Sequence, residues 1–224
     1  HALIGGYAGA AIAHSGFGAI IYSGWTKTLL FIVIAPVMGM VLGFVLMAAT
    51  MWLFSRSTAS NVNRHFRRLQ LVSAAVYSLG HGTNDAQKTM GIITTLLVTA
   101  GVLKTFEVPY WVILSSHFAI AMGTLFGGWR IVKTVGQKIT KLKPSMGFSA
   151  ESAGAITLLI TAFSGIAVST THVISGAIMG VGATRRASAV RWGVAGNIVI
   201  AWILTIPASA LIGTIAYGIV ALIT

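Results

Sequence analysis

Apolar residues run through this chain in blocks too long for a soluble fold. Trp25–Phe54, Val108–Gly128 and Gly196–Ile223 each exceed the roughly 20 apolar residues that cross a bilayer, and each is predicted to be a transmembrane helix. Leu69–Val102 is apolar at both ends but carries Gly80-His81-Gly82-Thr83-Asn84-Asp85 in its middle. Two glycines permit an unwound backbone there, and Thr83, Asn84 or Asp85 would cap the helix that follows, so this segment reads as an interrupted helix. Ser149–Ser169 and His172–Gly182 are two apolar arms joined at a polar corner. The second arm is too short to span, which predicts a re-entrant helical hairpin, with Ser149 and Ser152 placed to cap its first arm. The pattern as a whole predicts an all-α polytopic membrane protein.

Composition agrees and removes other classes. Of 224 residues, 56% are hydrophobic and 8% charged, and mean hydropathy is +0.88. A soluble protein carries about 25% charged residues on its exterior. The chain has no cysteine, which excludes a disulfide scaffold. The net charge of +12 resembles that of a nucleic-acid binder, but its placement does not. Twelve of the fifteen Lys and Arg residues fall in three groups: Arg56, Arg64, Arg67 and Arg68; Arg130, Lys133, Lys138, Lys141 and Lys143; Arg185, Arg186 and Arg191. Apolar segments separate the groups, so they form no contiguous basic face and point to no nucleic acid. They read as cytoplasmic loops under the positive-inside rule. With all three groups inside, Trp25–Phe54 runs inward, the hairpin enters and leaves from inside, and the C-terminus is outside.

The chain also compares with itself. His1-Ala2-Leu3-Ile4-Gly5-Gly6-Tyr7-Ala8-Gly9 aligns with His172-Val173-Ile174-Ser175-Gly176-Ala177-Ile178-Met179-Gly180, and at the same offset Pro36 falls on Pro207. The span holding Pro36 starts outside and the span holding Pro207 starts inside. The prediction is therefore an inverted-topology repeat, as in many secondary transporters. Residues 1–54 would end the first repeat, 55–68 form a basic cytoplasmic linker, and 69–224 the second repeat. Shifted back by the offset, the partners of the interrupted helix and the first hairpin arm fall before residue 1. The doubled repeat thus predicts a chain of roughly 330 residues, with roughly 100 or more preceding this one.

Three polar elements interrupt the apolar pattern. Asp85, one of three acids in the chain, lies at membrane depth, where an ionisable group is a functional candidate by default. Ser169-Thr170-Thr171-His172 precedes a stretch able to start a helix, so hydroxyls and free N–H groups would converge at a positive helix end, suited to an anion. Glu151-Ser152 is the third, and its acid also suits a helix N-terminus. His14, His65 and His117 have no partners at metal-ligand spacing, so neither a metal nor another cofactor is expected. No hydrolytic triad or nucleotide loop is present, which argues against an enzyme.

Taken together, Gly82-Thr83-Asn84-Asp85, Gln87-Lys88-Thr89-Met90-Gly91, Gly147-Phe148-Ser149-Ala150-Glu151-Ser152 and Val168-Ser169-Thr170-Thr171-His172 resemble the inorganic phosphate transporter (PiT) family. The resemblance covers essentially the whole chain, and the absence of a long hydrophilic central loop makes it look prokaryotic. It implies a transporter in the plasma or inner membrane that carries inorganic phosphate with protons or sodium, usually as a homodimer. On that reading Asn84 and Asp85 hold the coupling cation or proton. Thr83, Gln87, Ser169, Thr170 and Thr171 donate to phosphate oxygens, and Gly82, Lys88, Glu151, Ser152 and His172 support them. An anion beside Asp85 is repelled unless a cation or proton intervenes, which would couple the two ligands. A sulfate permease of the same superfamily and, less well, a non-transporting membrane subunit are the alternatives.

Overall fold

The computed structural model describes residues 1–223, without the side chains of residues 130–135, 137 and 138. Arg130, Lys133 and Lys138 of the second basic group therefore lie outside the described residues. Among the described residues all regular structure is helical: α1 (Ala2–Ser15), α2 (Tyr22–Leu53), α3 (Ala59–Thr99), α4 (Tyr110–Lys138), α5 (Pro144–Phe163), α6 (Thr170–Ala183) and α7 (Trp192–Ile223). Single 3-10 turns at Phe17–Ala19 and Ala187–Ala189 lead into α2 and α7. Among the described residues, four helices are long and apolar enough to cross a membrane: α2, α4 over Tyr110–Trp129, α5 and α7. Three of them, α2, α4 and α7, overlap the predicted spans, with Phe54 and Val108 falling just outside the helices.

Two predicted details change. The segment read as an interrupted helix is one continuous helix, α3, of 41 residues. Each glycine in a helix costs about 1 kcal/mol relative to alanine, but Asn84, one of the residues expected to cap a break, turns back onto the unbroken helix instead, and Thr89 lies against it likewise. The Asn84 amide donates to the Gly80 carbonyl one turn back at 3.1 Å, and the Thr89 hydroxyl lies 3.5 Å from the Asp85 carbonyl. The first hairpin arm also begins earlier than expected, at Pro144, which suits the first helical position because its missing N–H would be unpaired there anyway. Ser149 is therefore inside α5 and bonds the Ser145 carbonyl at 3.0 Å, so neither it nor Ser152 caps the arm. The hairpin is unequal: at 1.5 Å per residue, α5 reaches about 30 Å, the thickness of the hydrocarbon core, and α6 only about 21 Å.

Contacts divide the chain into two compact units, His1–Leu30 with Arg191–Thr224, and Phe31–Val190. In the first, α1 packs along α7 through small residues. A Cβ on Gly5 would lie 2.6 Å from the Ile206 carbonyl oxygen, one on Gly9 would overlap the Ala210 carbonyl, and one on Gly213 would overlap the Gly6 carbonyl. Only glycine allows helices this close.

The second unit holds α3 to α6 and most of α2. Its α2 and α6 pack in the same manner. A Cβ on Gly39 would lie 2.5 Å from the Val173 oxygen and one on Gly43 2.5 Å from that of Ala177, while Gly176 and Gly180 press on the Pro36 and Met40 carbonyls. α3 and α5 run parallel, with Gly147 against Gln70, Gly154 against Tyr77, and Leu158 against Gly80. At one end of this unit Phe66 stacks edge-on with Phe54 (5.2 Å) and Phe148 (5.3 Å). That contact gathers the end of α2 and the starts of α3 and α5, and with them Arg56, Arg64, Arg67, Arg68, Lys141 and Lys143, at one end. α4 closes the other side of α3 through Ala86, Met90 and Val112.

Candidate functional site

Because α3 is unbroken, residues 18 apart in sequence share one face. At 100° per residue, Gln70, Ser73, Tyr77, His81, Asp85 and Lys88 fall within about 120° of one another, a polar stripe about 27 Å long. The stripe faces α5 and α6, and its partners lie there.

At its centre Asp85 uses both carboxylate oxygens. Oδ1 accepts from Lys88 Nζ at 3.0 Å. Oδ2 lies 3.0 Å from His81 Nε2 and accepts from the Thr170 hydroxyl at 3.2 Å. Lys88 Nζ also donates to the Val168 carbonyl at 2.7 Å, and the Tyr77 hydroxyl donates to the Thr170 carbonyl at 3.3 Å. The Tyr77 ring meets His81 edge-on at 5.8 Å. Acid, base and hydroxyl thus tie α3 to the corner where α6 begins. Ser169 occupies the N-cap position of α6 without a side-chain cap bond, and its carbonyl accepts from Val173 N at 3.1 Å. The first N–H groups of α6 have no partner within the helix and carry its positive pole. Lys88 balances the charge of Asp85, so the corner does not repel an anion as the acid alone would.

A second cluster lies further down the stripe. Glu151, on α5, accepts from Ser73 Oγ at 2.5 Å and Gln70 Nε2 at 3.2 Å. Gly147 and Gly154, about one turn to either side of Glu151, leave the space that Gln70 and Tyr77 fill.

The structure brings together Asp85, Lys88 and Thr170, with Ser169 beside them. It does not bring Thr83 and Gln87 to the corner: both are exposed on the far side of α3 from Asp85. Asn84 is buried with its amide on the Gly80 carbonyl, and points about 100° round the helix from Asp85. Thr171 is exposed and His172 buried; Gly82 and Ser152 are partly exposed. Tyr77, His81, Ser73 and Gln70 were not selected from the sequence. Their signal was the i, i+3 and i, i+4 spacing that ends on Asp85, which an interrupted helix conceals. Among the described residues, no three His, Cys, Asp or Glu side chains gather as a metal site.

A sequence model of the phosphate transporter family matches residues 1–213. The chain belongs to the phosphate transporter family. A probable low-affinity inorganic phosphate transporter of Rhizobium meliloti (strain 1021) is 58% identical over 218 residues, 97% of this chain and 65% of that protein. One of Bacillus subtilis (strain 168) is 46% identical over the whole chain and 67% of its own length. The chain thus spans about two thirds of the length of these relatives. A solved structure of a sodium-dependent phosphate transporter superposes with a TM-score of 0.86 over 99% of this chain and 72% of its own, at 25% identity. Family membership, together with four apolar helices of spanning length, makes this a multi-pass membrane protein.

Proposed function

We propose that this chain forms part of a symporter that carries inorganic phosphate with protons or sodium across the plasma membrane, and is not an enzyme. The observation that carries the reading is Asp85 bound at once to Lys88, His81 and the Thr170 hydroxyl at the start of α6. In this reading phosphate takes donors from Ser169, Thr170, Thr171 and the N-terminal turn of α6, while Thr83 and Gln87, which face away from the corner, take no part. Asp85 and Asn84 serve the coupling ion or proton, and Gly82, Glu151, Ser152 and His172 support them. The names of its relatives and of its structural neighbour support phosphate as the substrate.

The inverted repeat is proposed on the same footing. α1, a 3-10 turn and α2 have 14, 3 and 32 residues; α6, a 3-10 turn and α7 have 14, 3 and 32 as well, with Pro36 and Pro207 near the middle of the long helices. The division into 1–54, 55–68 and 69–224, a C-terminus outside and a homodimer complete the reading. The basic residues gathered at one end of the second unit support the assignment of that end to the cytoplasm.

The test is labelled phosphate uptake by the full-length gene product in proteoliposomes, under separate sodium and proton gradients. Uptake driven by either gradient, and not displaced by excess sulfate, is expected. Displacement by sulfate points to a sulfate permease, and absence of uptake points to a non-transporting subunit.

A further inference from the structure

We infer that Lys88 is a built-in cation that fills the sodium position at Asp85 and so determines which coupling ion this site accepts; the inference rests on the symport reading above. The ammonium nitrogen lies 3.0 Å from an Asp85 carboxylate oxygen and 2.7 Å from the Val168 carbonyl oxygen. A carboxylate and a backbone carbonyl are the hard oxygen donors that a small cation takes. They come from two different elements, α3 and the corner before α6, so whatever sits between them clamps the corner to the helix. Here the clamp is covalently attached to the chain, one helical turn from the acid it neutralises. A sodium ion would have to displace the ammonium from both oxygens to enter. The third N–H of the ammonium remains for an anion at the corner. The side chain therefore supplies the charge balance that a free cation would otherwise bring with each phosphate.

Removing the ammonium should reopen the position. In purified full-length protein, Lys88→Gln should gain a sodium-specific rise in melting temperature, measured against choline, that the unaltered protein lacks at this site. Phosphate uptake by Lys88→Gln should become about tenfold more dependent on sodium, the scale of one charged interaction. The double variant Asp85→Asn/Lys88→Gln should lose the gain, because an amide has no charge to hold the ion. Lys88→Arg, which keeps the charge, should resemble the unaltered protein. Lys88→Met retains the apolar stem and reads the same thermal shift should Lys88→Gln fail to fold. An unchanged response to sodium in Lys88→Gln and Lys88→Met, or a gain that survives Asp85→Asn, would overturn the inference while leaving phosphate transport standing. No phosphate uptake by the unaltered protein would overturn the transport reading and, with it, this one.

Discussion

The α1–α7 and α6–α2 pairs are built alike and situated differently. In both, a 14-residue helix lies parallel to a 32-residue helix with a proline near its middle, and glycines four apart press on the partner's carbonyls. In α1 only Gly5, Ala8 and Gly9 are buried, and the pair is lined by an open apolar groove of about 640 Å³ that includes Tyr7, Ile212 and Tyr217. In α6 eleven residues from Thr170 to Gly182 are buried. The glycine contact is common to both, so it does not decide burial. The neighbours do: α5 and α3 cover α6, and they bring the polar stripe, Asp85 and Glu151. Close helix packing and polar chemistry are therefore separable properties of this fold.

The largest expected effect tests the shared part. Gly180→Val drives a side chain into the Met40 backbone, which cannot move as a side-chain tip could. We expect a loss of about 3 kcal/mol or more, seen as loss of monodisperse protein or of thermal stability in detergent. Gly9→Val meets the Ala210 backbone and should cost as much. A harmless Gly9→Val would show that the two pairs are not equivalent.

Next comes the unshared part. Asp85→Asn keeps the shape of the side chain but removes the charge that Lys88, His81 and Thr170 address. Phosphate uptake should fall about a hundredfold, the scale of two charged hydrogen bonds, with the fold retained. Uptake at the unaltered rate would remove Asp85 from the site. Glu151→Ala leaves the Gln70 amide without its acceptor and the buried Ser73 with only the Gln70 carbonyl, and should lower thermal stability by about 2 kcal/mol. Glu151→Gln, which keeps an acceptor, should cost less than half of that. An equal loss in both would mean that the charge rather than the hydrogen bonds is being used. Smallest is Tyr77→Phe, which removes one 3.3 Å bond to the Thr170 carbonyl, worth about 1 kcal/mol, and keeps the ring against Gly154.

The comparison also explains what could be read in advance. Spans were legible because a bilayer demands about 20 apolar residues, a constraint each segment carries alone. The proposed repeat rests in the sequence on His1 and His172, Gly5 and Gly176, and Pro36 and Pro207, and glycine and proline sites tolerate few other residues. The acid and the Thr170 corner were legible for a similar reason: polar residues at membrane depth are expensive and stand out. The continuity of α3 was not. Gly80 and Gly82 read locally as a break, and the interactions that outweigh their cost come from a turn away and from other helices.

What the sequence determined by itself was the class, the spans, the family motifs and the short list of polar residues, all properties of composition and local pattern. Only the tertiary structure decided which of those residues meet. Asp85 and Thr170 are 85 positions apart, and their contact depends on the parallel course of α3 and α5 and the turn between α5 and α6. It also decided that Thr83 and Gln87 face away while His81 and Lys88 face in, because an unbroken helix fixes direction by 100° per residue, whereas a broken one would have left it free.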